Sequence, residues 1–323
     1  MQHLHDVDCT ALTNIASWRD GLNMCASMSG NRSACALHRV GRTPCVYNGT
    51  RCARRKTPCS AFAMQGEAKA TVCAARPVSA EASASCVLNG LHTHRGLRRE
   101  ALEEGARFAV ERYEEDSMWL EFGAHNGGST QRLMHAHAKL TRATLPVFSF
   151  DSFRGLPEQW RQRPSGANKA ALRRWEAYYA AGSFDLGGKP PFTDPRVEWV
   201  VGWFNESLPR FLRSHPQNVS LVHIDCDLYS STDTVLRLLQ PRLGPGALLI
   251  FDELINYPDY QANELKALLE LQQRSGRSLR VLGTQALTIL RRREDIVRAL
   301  AARGGTEMPN VAPYQQDAAF ALL

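Results

Sequence analysis

The sequence predicts an α/β protein: a doubly wound, mostly parallel sheet over residues 95–303, with a small cysteine-rich N-terminal region in front of it. Three observations carry that reading. After Arg95, five short apolar runs alternate with stretches of helical periodicity. The first run breaks into a glycine turn, Gly123-Ala124-His125-Asn126-Gly127-Gly128, and then into residues able to open a helix. Eight of the nine cysteines lie before residue 90, at positions 9, 25, 35, 45, 52, 59, 73 and 86, in a part poor in aliphatic residues.

The runs are Met118–Phe122, Pro146–Phe150, Val197–Val201, Leu221–Ile224 and Ala247–Phe251. Unbroken apolar character, rather than alternation, fits strands buried on both faces of a parallel sheet. Arg98–Tyr113 places Leu102, Ala106, Ala109 and Val110 at helical intervals and predicts a helix against that sheet. Further helices are expected over Ser129–Leu140, part of 167–181, Glu206–Ser214, Thr232–Leu243 and Glu264–Gln273. Gly244-Pro245-Gly246 is expected to stop the helix before it. Leu279–Leu282 and Ala286–Leu290 read as a closing pair at the sheet edge, and residues 304–323 as a tail. The βαβ alternation requires right-handed crossovers and a doubly wound domain.

Residues 1–60 contain Trp18 and Tyr47 but too few aliphatics to fold without staples. Pro44–Cys52 reads as a cross-linked hairpin turning at Asn48-Gly49. The Ala/Ser-rich stretch 61–94 reads as a linker of marginal helix content. The cysteines form no C-x-x-C pair, and His3, His5 and His38 lack finger spacing, which disfavours zinc. An even number in a loop-rich stretch favours disulfides and an oxidising compartment, with Cys226 left free. Eight cysteines allow 105 pairings, and the sequence chooses none.

The 323 residues are 44% hydrophobic and 22% charged, ordinary for a soluble globular protein. Of the net charge of +7, residues 1–95 hold +6, from eleven Lys/Arg less five Asp/Glu. The only tight run, Arg54-Arg55-Lys56, has no interleaved aromatics, so no nucleic-acid partner is expected. The first twenty residues have no signal-peptide apolar region, and nothing approaches a membrane span. Either the protein is cytosolic with reduced cysteines, or the chain lacks its true N-terminus. The cysteines and four sequons, at Asn31, Asn48, Asn205 and Asn218, favour the second, with passage through the secretory pathway or Golgi lumen.

Ligands of open α/β sheets bind at the carboxyl ends of the strands. Those ends here are Glu121 with the glycine turn, Asp151, Gly202-Trp203-Phe204, Asp225-Cys226-Asp227 and Asp252-Glu253. Capping of the following helices is the competing explanation of the acids. An adenosyl compound with a charged tail uses each position. Gly123, Gly127 and Gly128 let the backbone approach, and N–H groups near Ser129 can hold a carboxylate at the helix N-terminus. Asp151 is placed to accept from ribose hydroxyls and Trp203 to lie against adenine. The spacing G-x-x-x-G-G departs from the NAD fingerprint. Asp225, Asp252 and Glu253 offer only hard oxygen ligands, which suits Mg²⁺ or a similar cation able to lower the pKa of a bound hydroxyl. The stretch 158–196 carries Trp160, Trp175, Tyr178, Tyr179, Phe184 and Phe192, which read either as a lid suited to sugar rings or as an extra packed helix.

Five blocks in order, Leu120-Glu121-Phe122-Gly123-Ala124-His125-Asn126-Gly127-Gly128-Ser129, Phe150-Asp151-Ser152-Phe153-Arg154-Gly155-Leu156-Pro157-Glu158, Gly202-Trp203-Phe204, His223-Ile224-Asp225-Cys226-Asp227-Leu228-Tyr229-Ser230-Ser231-Thr232 and Phe251-Asp252-Glu253, resemble the macrocin O-methyltransferase family. The resemblance spans about 115–290 and implies a Rossmann-like class I methyltransferase using S-adenosylmethionine on sugar hydroxyls. It implies cofactor contacts at Glu121, Gly123, Ser129 and Asp151, joined in the candidate set by Asn126, Gly127, Trp203 and Asp225. It also implies a divalent metal at Asp225, Asp252 and Glu253, the last where related enzymes often carry Asp or Asn. The lysine base of catechol-type relatives is replaced by Leu228, leaving Asp227, His223 and His125 as candidates for the base. The expected activity is metal-assisted O-methylation of a sugar or glycan, by a chain able to form homo-oligomers. The rivals are an NAD-dependent nucleotide-sugar oxidoreductase or epimerase, and a secreted recognition protein on a methyltransferase scaffold.

Overall fold

The computed structural model describes residues 39–40, 43–47, 52–54, 71–74, 79–97, 99–112, 117–139, 144–160, 179–257, 259–292, 295 and 316–323. The chain divides into two compact units, Met1–Ala70 and Thr71–Leu323. In the first, β1 (Arg39–Val40), β2 (Thr43–Tyr47) and β3 (Cys52–Arg54) make a small antiparallel sheet. The β2–β3 pair, with Tyr47 opposite Cys52, is the expected hairpin. Its turn, the side chains of the first unit, and the sequons Asn31 and Asn48 lie outside the described residues, as does the expected helix within 167–181 up to residue 178.

The second unit is built on eight strands: β4 (Val72–Cys73), β5 (Met118–Phe122), β6 (Val147–Asp151), β7 (Val197–Val201), β8 (Val219–Ile224), β9 (Leu243–Phe251), β10 (Leu279–Gly283) and β11 (Ala318–Leu322). Their order across the sheet is β4-β10-β11-β9-β8-β5-β6-β7. Strands β7, β6, β5, β8 and β9 are parallel, and β11 runs antiparallel between β9 and β10. The five strands expected from apolar runs all form. Strands β5 and β8 are buried along their whole length, whereas the edge strand β7 is partly exposed.

Among the described residues, six helices cover the sheet: α1 (Ala80–Thr93), α2 (Ala101–Arg112), α3 (Gly128–His137), α4 (Phe204–Ser214), α5 (Tyr229–Leu239) and α6 (Glu264–Ser275). Alternate residues of each strand enter opposite layers, as the pleat dictates. Leu120, Phe122, Leu249 and Phe251 pack with Leu91 of α1, Phe211 of α4, Leu236 of α5 and Leu268 of α6. Trp119, Leu248 and Ile250 pack with Leu102 and Ala106 of α2 and Leu133 of α3. The sheet is therefore wound on both faces.

Three boundaries differ from the sequence expectation. The stretch 61–94 is not all linker: from Thr71 it belongs to the sheet unit. Ser79 caps α1 by accepting from the Ala82 N–H at 3.2 Å, and the helix buries Val87, Leu88 and Leu91. Each such side chain contributes about 1.5–3 kcal/mol, enough to order a helix whose Ala/Ser composition looked neutral. A disulfide joins Cys73 of β4 to Cys86 of α1, and the Gln272 side chain donates to the carbonyls of Cys73 and Ala74 at 2.9 and 2.8 Å. Secondly, β10 pairs with β11 from the expected tail, not with Ala286–Leu290. All five residues of Ala318–Leu322 are buried, and their small side chains suit a central strand covered on both faces. Thirdly, Gly244-Pro245-Gly246 lies within β9, since α5 already ends at Leu239 and a 3₁₀ turn, Gln240–Arg242, follows it.

His137 closes α3 inside the core, its ring edge-on to Trp119 with centroids 4.9 Å apart. Burial lowers its pKa from 6.5 to about 4, so the fold holds the neutral ring. A depressed histidine contributes stability that is present above pH 6.5 and lost as the pH falls towards 4. Urea midpoints of wild type and His137→Gln at pH 7 and pH 5 should therefore diverge, the wild type losing more on acidification. Parallel losses would assign the acid sensitivity to other groups.

Candidate functional site

A cavity of about 750 Å³ opens at the carboxyl ends of β5, β6, β7, β8 and β9. Its floor is where the strand ends are tied together. The Gly123 N–H donates to the Phe150 carbonyl at 3.0 Å, and the Asp225 N–H donates to the Phe122 carbonyl at 2.9 Å. Gly123 has φ +89°, and a Cβ there would lie 1.7 Å from the Asp225 carbonyl oxygen. Only glycine permits this approach.

Of the glycine turn, Gly123 and His125 line the cavity. Asn126, Gly127 and Ser129 do not. Asn126 is exposed, and its Oδ1 accepts from the Gly128 N–H at 3.1 Å, which braces the turn. Gly127, at φ +77°, is the residue before α3, and a Cβ on it would meet the Phe192 ring at 2.4 Å. Asp151 does line the cavity, and two backbone donors hold its carboxylate: His125 N–H at 2.8 Å and Phe153 N–H at 2.7 Å. That leaves a preoriented acceptor at the end of the second strand, the arrangement that receives ribose hydroxyls. Trp203, the extended residue before α4, faces the same space, and so does the sequon residue Asn205, where a glycan would obstruct the cavity.

Two expected site residues lie elsewhere. Glu121 and His223 are 0% and 1% exposed and face each other across β5 and β8, with His223 Nδ1 3.2 Å from Glu121 Oε1. The Thr130 hydroxyl also donates to Glu121, and the Ser149 hydroxyl does so at 2.7 Å. Burial alone would raise the Glu121 pKa, but His223, Thr130 and Ser149 outweigh it and hold the carboxyl below its ordinary value. Neither residue lines the cavity. His223 precedes the last residue of β8, so its side chain enters the sheet interior and is captured by the neighbouring acid. It is a structural partner of Glu121, not a candidate base.

The acids that do converge are Asp225, Asp227 and Glu253, with carboxylate oxygens within 4.8 Å of one another. Asp252, expected in the set, is exposed and outside the group, and Asp227 takes its place. Asp252 is the first residue after β9, so the bend there and not the pleat sets its direction, and its charge still acts on both Asp225 and Glu253. Asp227 is turned in by a left-handed backbone, φ +63°, at the centre of a tight turn closed by the Leu228 N–H on the Cys226 carbonyl at 2.6 Å. Such three-residue turns are rare and strained, and strain of this kind concentrates at functional sites. Burial, followed by the charges of Asp252 and Asp227, drives both the Asp225 and the Glu253 carboxyls well above the ordinary range. Among the described residues no Lys or Arg lines the cavity, and Glu253 Oε2 is buried without a hydrogen-bond partner. Three crowded hard-oxygen donors in such a lining fit a divalent ion such as Mg²⁺.

One feature escaped the sequence reading, and one that the aromatic stretch 158–196 offered as a lid takes a definite form. Glu264, from α6, is a buried acid whose Oε1 accepts from the Cys226 N–H at 3.3 Å. No local signal separates it from an ordinary first-turn helix acid. An aromatic wall also stands over the cavity: Trp160 stacks on Tyr179, with centroids 5.2 Å apart and planes 20° apart, and Tyr179 lies 4.9 Å from Phe184. Trp160 and Tyr179 exchange backbone hydrogen bonds at 2.9 and 3.3 Å. Trp175 and Tyr178 lie outside the described residues, and Phe192 packs on Trp199 at 5.0 Å. Cys226 is a free, buried thiol.

Five parallel strands in this order, a reversed strand between the fifth and the next, a glycine turn after the first of them in sequence and an acid after the second define the class I methyltransferase fold. Residues 96–267, more than half of the chain, match the macrocin-O-methyltransferase (TylF) family, and the chain belongs to it. It is 28% identical over 174 residues to the 8-demethyl-8-(2,3-dimethoxy-alpha-L-rhamnosyl)-tetracenomycin-C 4'-O-methyltransferase of Streptomyces olivaceus, covering 50% of this chain and 62% of that one. It is 27% identical over 145 residues to the demethyldecarbamoylnovobiocin O-methyltransferase of Streptomyces niveus, covering 43% and 53%. The chain thus spans less than two thirds of the length of both. Among solved structures, calicheamicin methyltransferase aligns at 21% identity and a TM-score of 0.42, over 64% of this chain and 82% of that one.

Proposed function

We propose that the protein is an O-methyltransferase that moves the methyl group of S-adenosylmethionine to a hydroxyl of a sugar or glycoconjugate, assisted by a divalent cation. The observation that carries the reading is the acidic cluster of Asp225, Asp227 and Glu253 in a cavity that also holds a preoriented Asp151 and Trp203. Asp151 would take the ribose hydroxyls, Trp203 the adenine face, and the backbone at Gly123 the approach of the sulfonium side. When bound, S-adenosylmethionine would supply an electrophilic methyl carbon, and a divalent ion held by Asp225, Asp227 and Glu253 would lower the pKa of the acceptor hydroxyl. Asp227 would take the hydroxyl proton while the methyl group passes from sulfur to the acceptor oxygen. Transfer would need the fold to hold the sulfur, methyl carbon and acceptor oxygen in line. Trp160, Tyr179 and Phe184 supply apolar faces of the kind that lie against sugar rings. The rhamnosyl-bearing acceptor named for the Streptomyces olivaceus relative agrees with that class. The Cys73–Cys86 bond favours an oxidising compartment.

A calorimetric titration, followed by a methyl-transfer screen over sugars and glycans with Mg²⁺ or with excess EDTA, tests the reading. Binding of S-adenosylmethionine but not NAD, and transfer abolished by EDTA, are expected. Full activity in EDTA would refute the metal role. NAD binding without S-adenosylmethionine binding would favour an oxidoreductase, and binding of neither a non-catalytic recognition protein.

A further inference from the structure

The geometry points to Glu264 as the positioning residue of the Asp225-Cys226-Asp227 turn, acting from α6 on the two aspartates without touching the acceptor. Cys226 stands between the two cluster aspartates, and its N–H donates to Glu264 Oε1 at 3.3 Å. The same oxygen receives the Thr232 hydroxyl at 3.4 Å, from the first turn of α5. One carboxyl oxygen therefore ties the turn after β8 to the start of the helix that follows it. The Thr232 N–H closes that turn on the Leu228 carbonyl at 3.0 Å.

A first-turn acid of a helix normally stands in water, where it favours the helix dipole at little cost. Glu264 is 0% exposed, and its Oε2 has no hydrogen-bond partner. Burying a carboxyl in that way is unfavourable unless what it holds offsets the loss of solvation. What it holds is a buried N–H in the middle of a strained turn. Asp227, at φ +63°, and the tight Leu228–Cys226 closure persist only where the surroundings over-determine them. On the other side of the turn, the Cys226 thiol donates to the Phe122 carbonyl at 3.6 Å. Glu264 is the clamp on the helix side. Without it, the Asp225 and Asp227 carboxylates lose their common aim. The inference deepens the proposed function, and its metal-binding part rests on that reading.

Two measurements on the whole protein test it, neither requiring turnover. The first is the alkylation rate of Cys226 in native protein, located by mass spectrometry. This thiol is 5% exposed, so its rate reports opening of the turn. The second is Mn²⁺ affinity by electron paramagnetic resonance. Glu264→Ala should raise the Cys226 rate and weaken Mn²⁺ binding about tenfold each, the loss expected when a buried donor is left unpaired. S-adenosylmethionine affinity should stay within about threefold, since Glu264 does not line the cavity. Glu264→Gln keeps an acceptor oxygen in place and should restore both readouts. Should Glu264→Ala not fold, Glu264→Asp, one methylene short of Cys226, carries the same expectation. A wild-type Cys226 rate in the folded variant, or a Glu264→Gln rate as fast as that of Glu264→Ala, overturns the proposal. Wild-type protein that binds no Mn²⁺ would refute the metal reading alone, and the Cys226 rates would still decide the role of Glu264.

Discussion

Asp227→Asn is expected to reduce kcat about 10²–10⁴-fold, the range spanned by a positioned general base, with S-adenosylmethionine affinity little changed. The replacement is isosteric and removes only the ability to accept a proton and to donate a charged oxygen to the cluster. Asp227 differs from its neighbours in being delivered by a left-handed backbone in a three-residue turn, and its carboxylate groups with those of Asp225 and Glu253. Asn tolerates positive φ well, so the turn should survive. Single-turnover methylation of a screened acceptor gives kcat, and calorimetry gives cofactor affinity. Loss of binding together with turnover would make Asp227 a structural residue. Undiminished turnover would assign the base elsewhere, with His125, which also lines the cavity, next in line.

Gly123→Ala should cost about 2–4 kcal/mol of stability, the sum expected of a strained positive φ and a steric overlap that rigid backbone cannot relieve. The added methyl would sit 1.7 Å from the Asp225 carbonyl oxygen, so the ends of β5 and β8 must part. Parting them by about an ångström displaces Asp225 from the cluster, and misplacement of that size costs on the order of a hundredfold in rate. Gly127→Ala is the control. It shares the cost of a positive φ, but its methyl would meet the side chains of Phe192 and Pro191 instead of backbone, and Gly127 does not line the cavity. Urea unfolding and S-adenosylmethionine titration of both variants should separate them clearly. Equal, small losses in the two would mean that the strand ends are more compliant than their hydrogen bonds imply.

Much of this site is legible in the amino-acid sequence, because its signals are local. A strand inside a parallel sheet is apolar at most positions, and the runs Met118–Phe122 and Val197–Val201 delimit their strands to the residue. Asp151, Trp203 and Asp225 follow directly from the ends of such strands, and all three line the cavity. The elements that sequence patterning misses share a cause. Val87, Leu88 and Leu91 order α1 only because a sheet edge is there to bury them. Ala318–Leu322 looks like a tail because alanines carry little hydrophobic signal, yet small residues are what a strand covered on both faces can use.

By itself the sequence determined the parallel sheet, the glycine that brings its central strands together, and the supply of acids at its carboxyl edge. Each depends on residue type and spacing along the chain. Only the tertiary structure decided which acids lie closest together. Asp227 joins Asp225 and Glu253 in the tightest group and Asp252 stands just outside it, because past the end of a strand direction depends on how the turn bends. His223 is withdrawn into the sheet because Glu121, 102 residues away in sequence, sits opposite it to receive its ring nitrogen. Glu264 reaches Cys226 across 38 positions for the same reason: a carboxyl's role is set by the partner that folding brings to it.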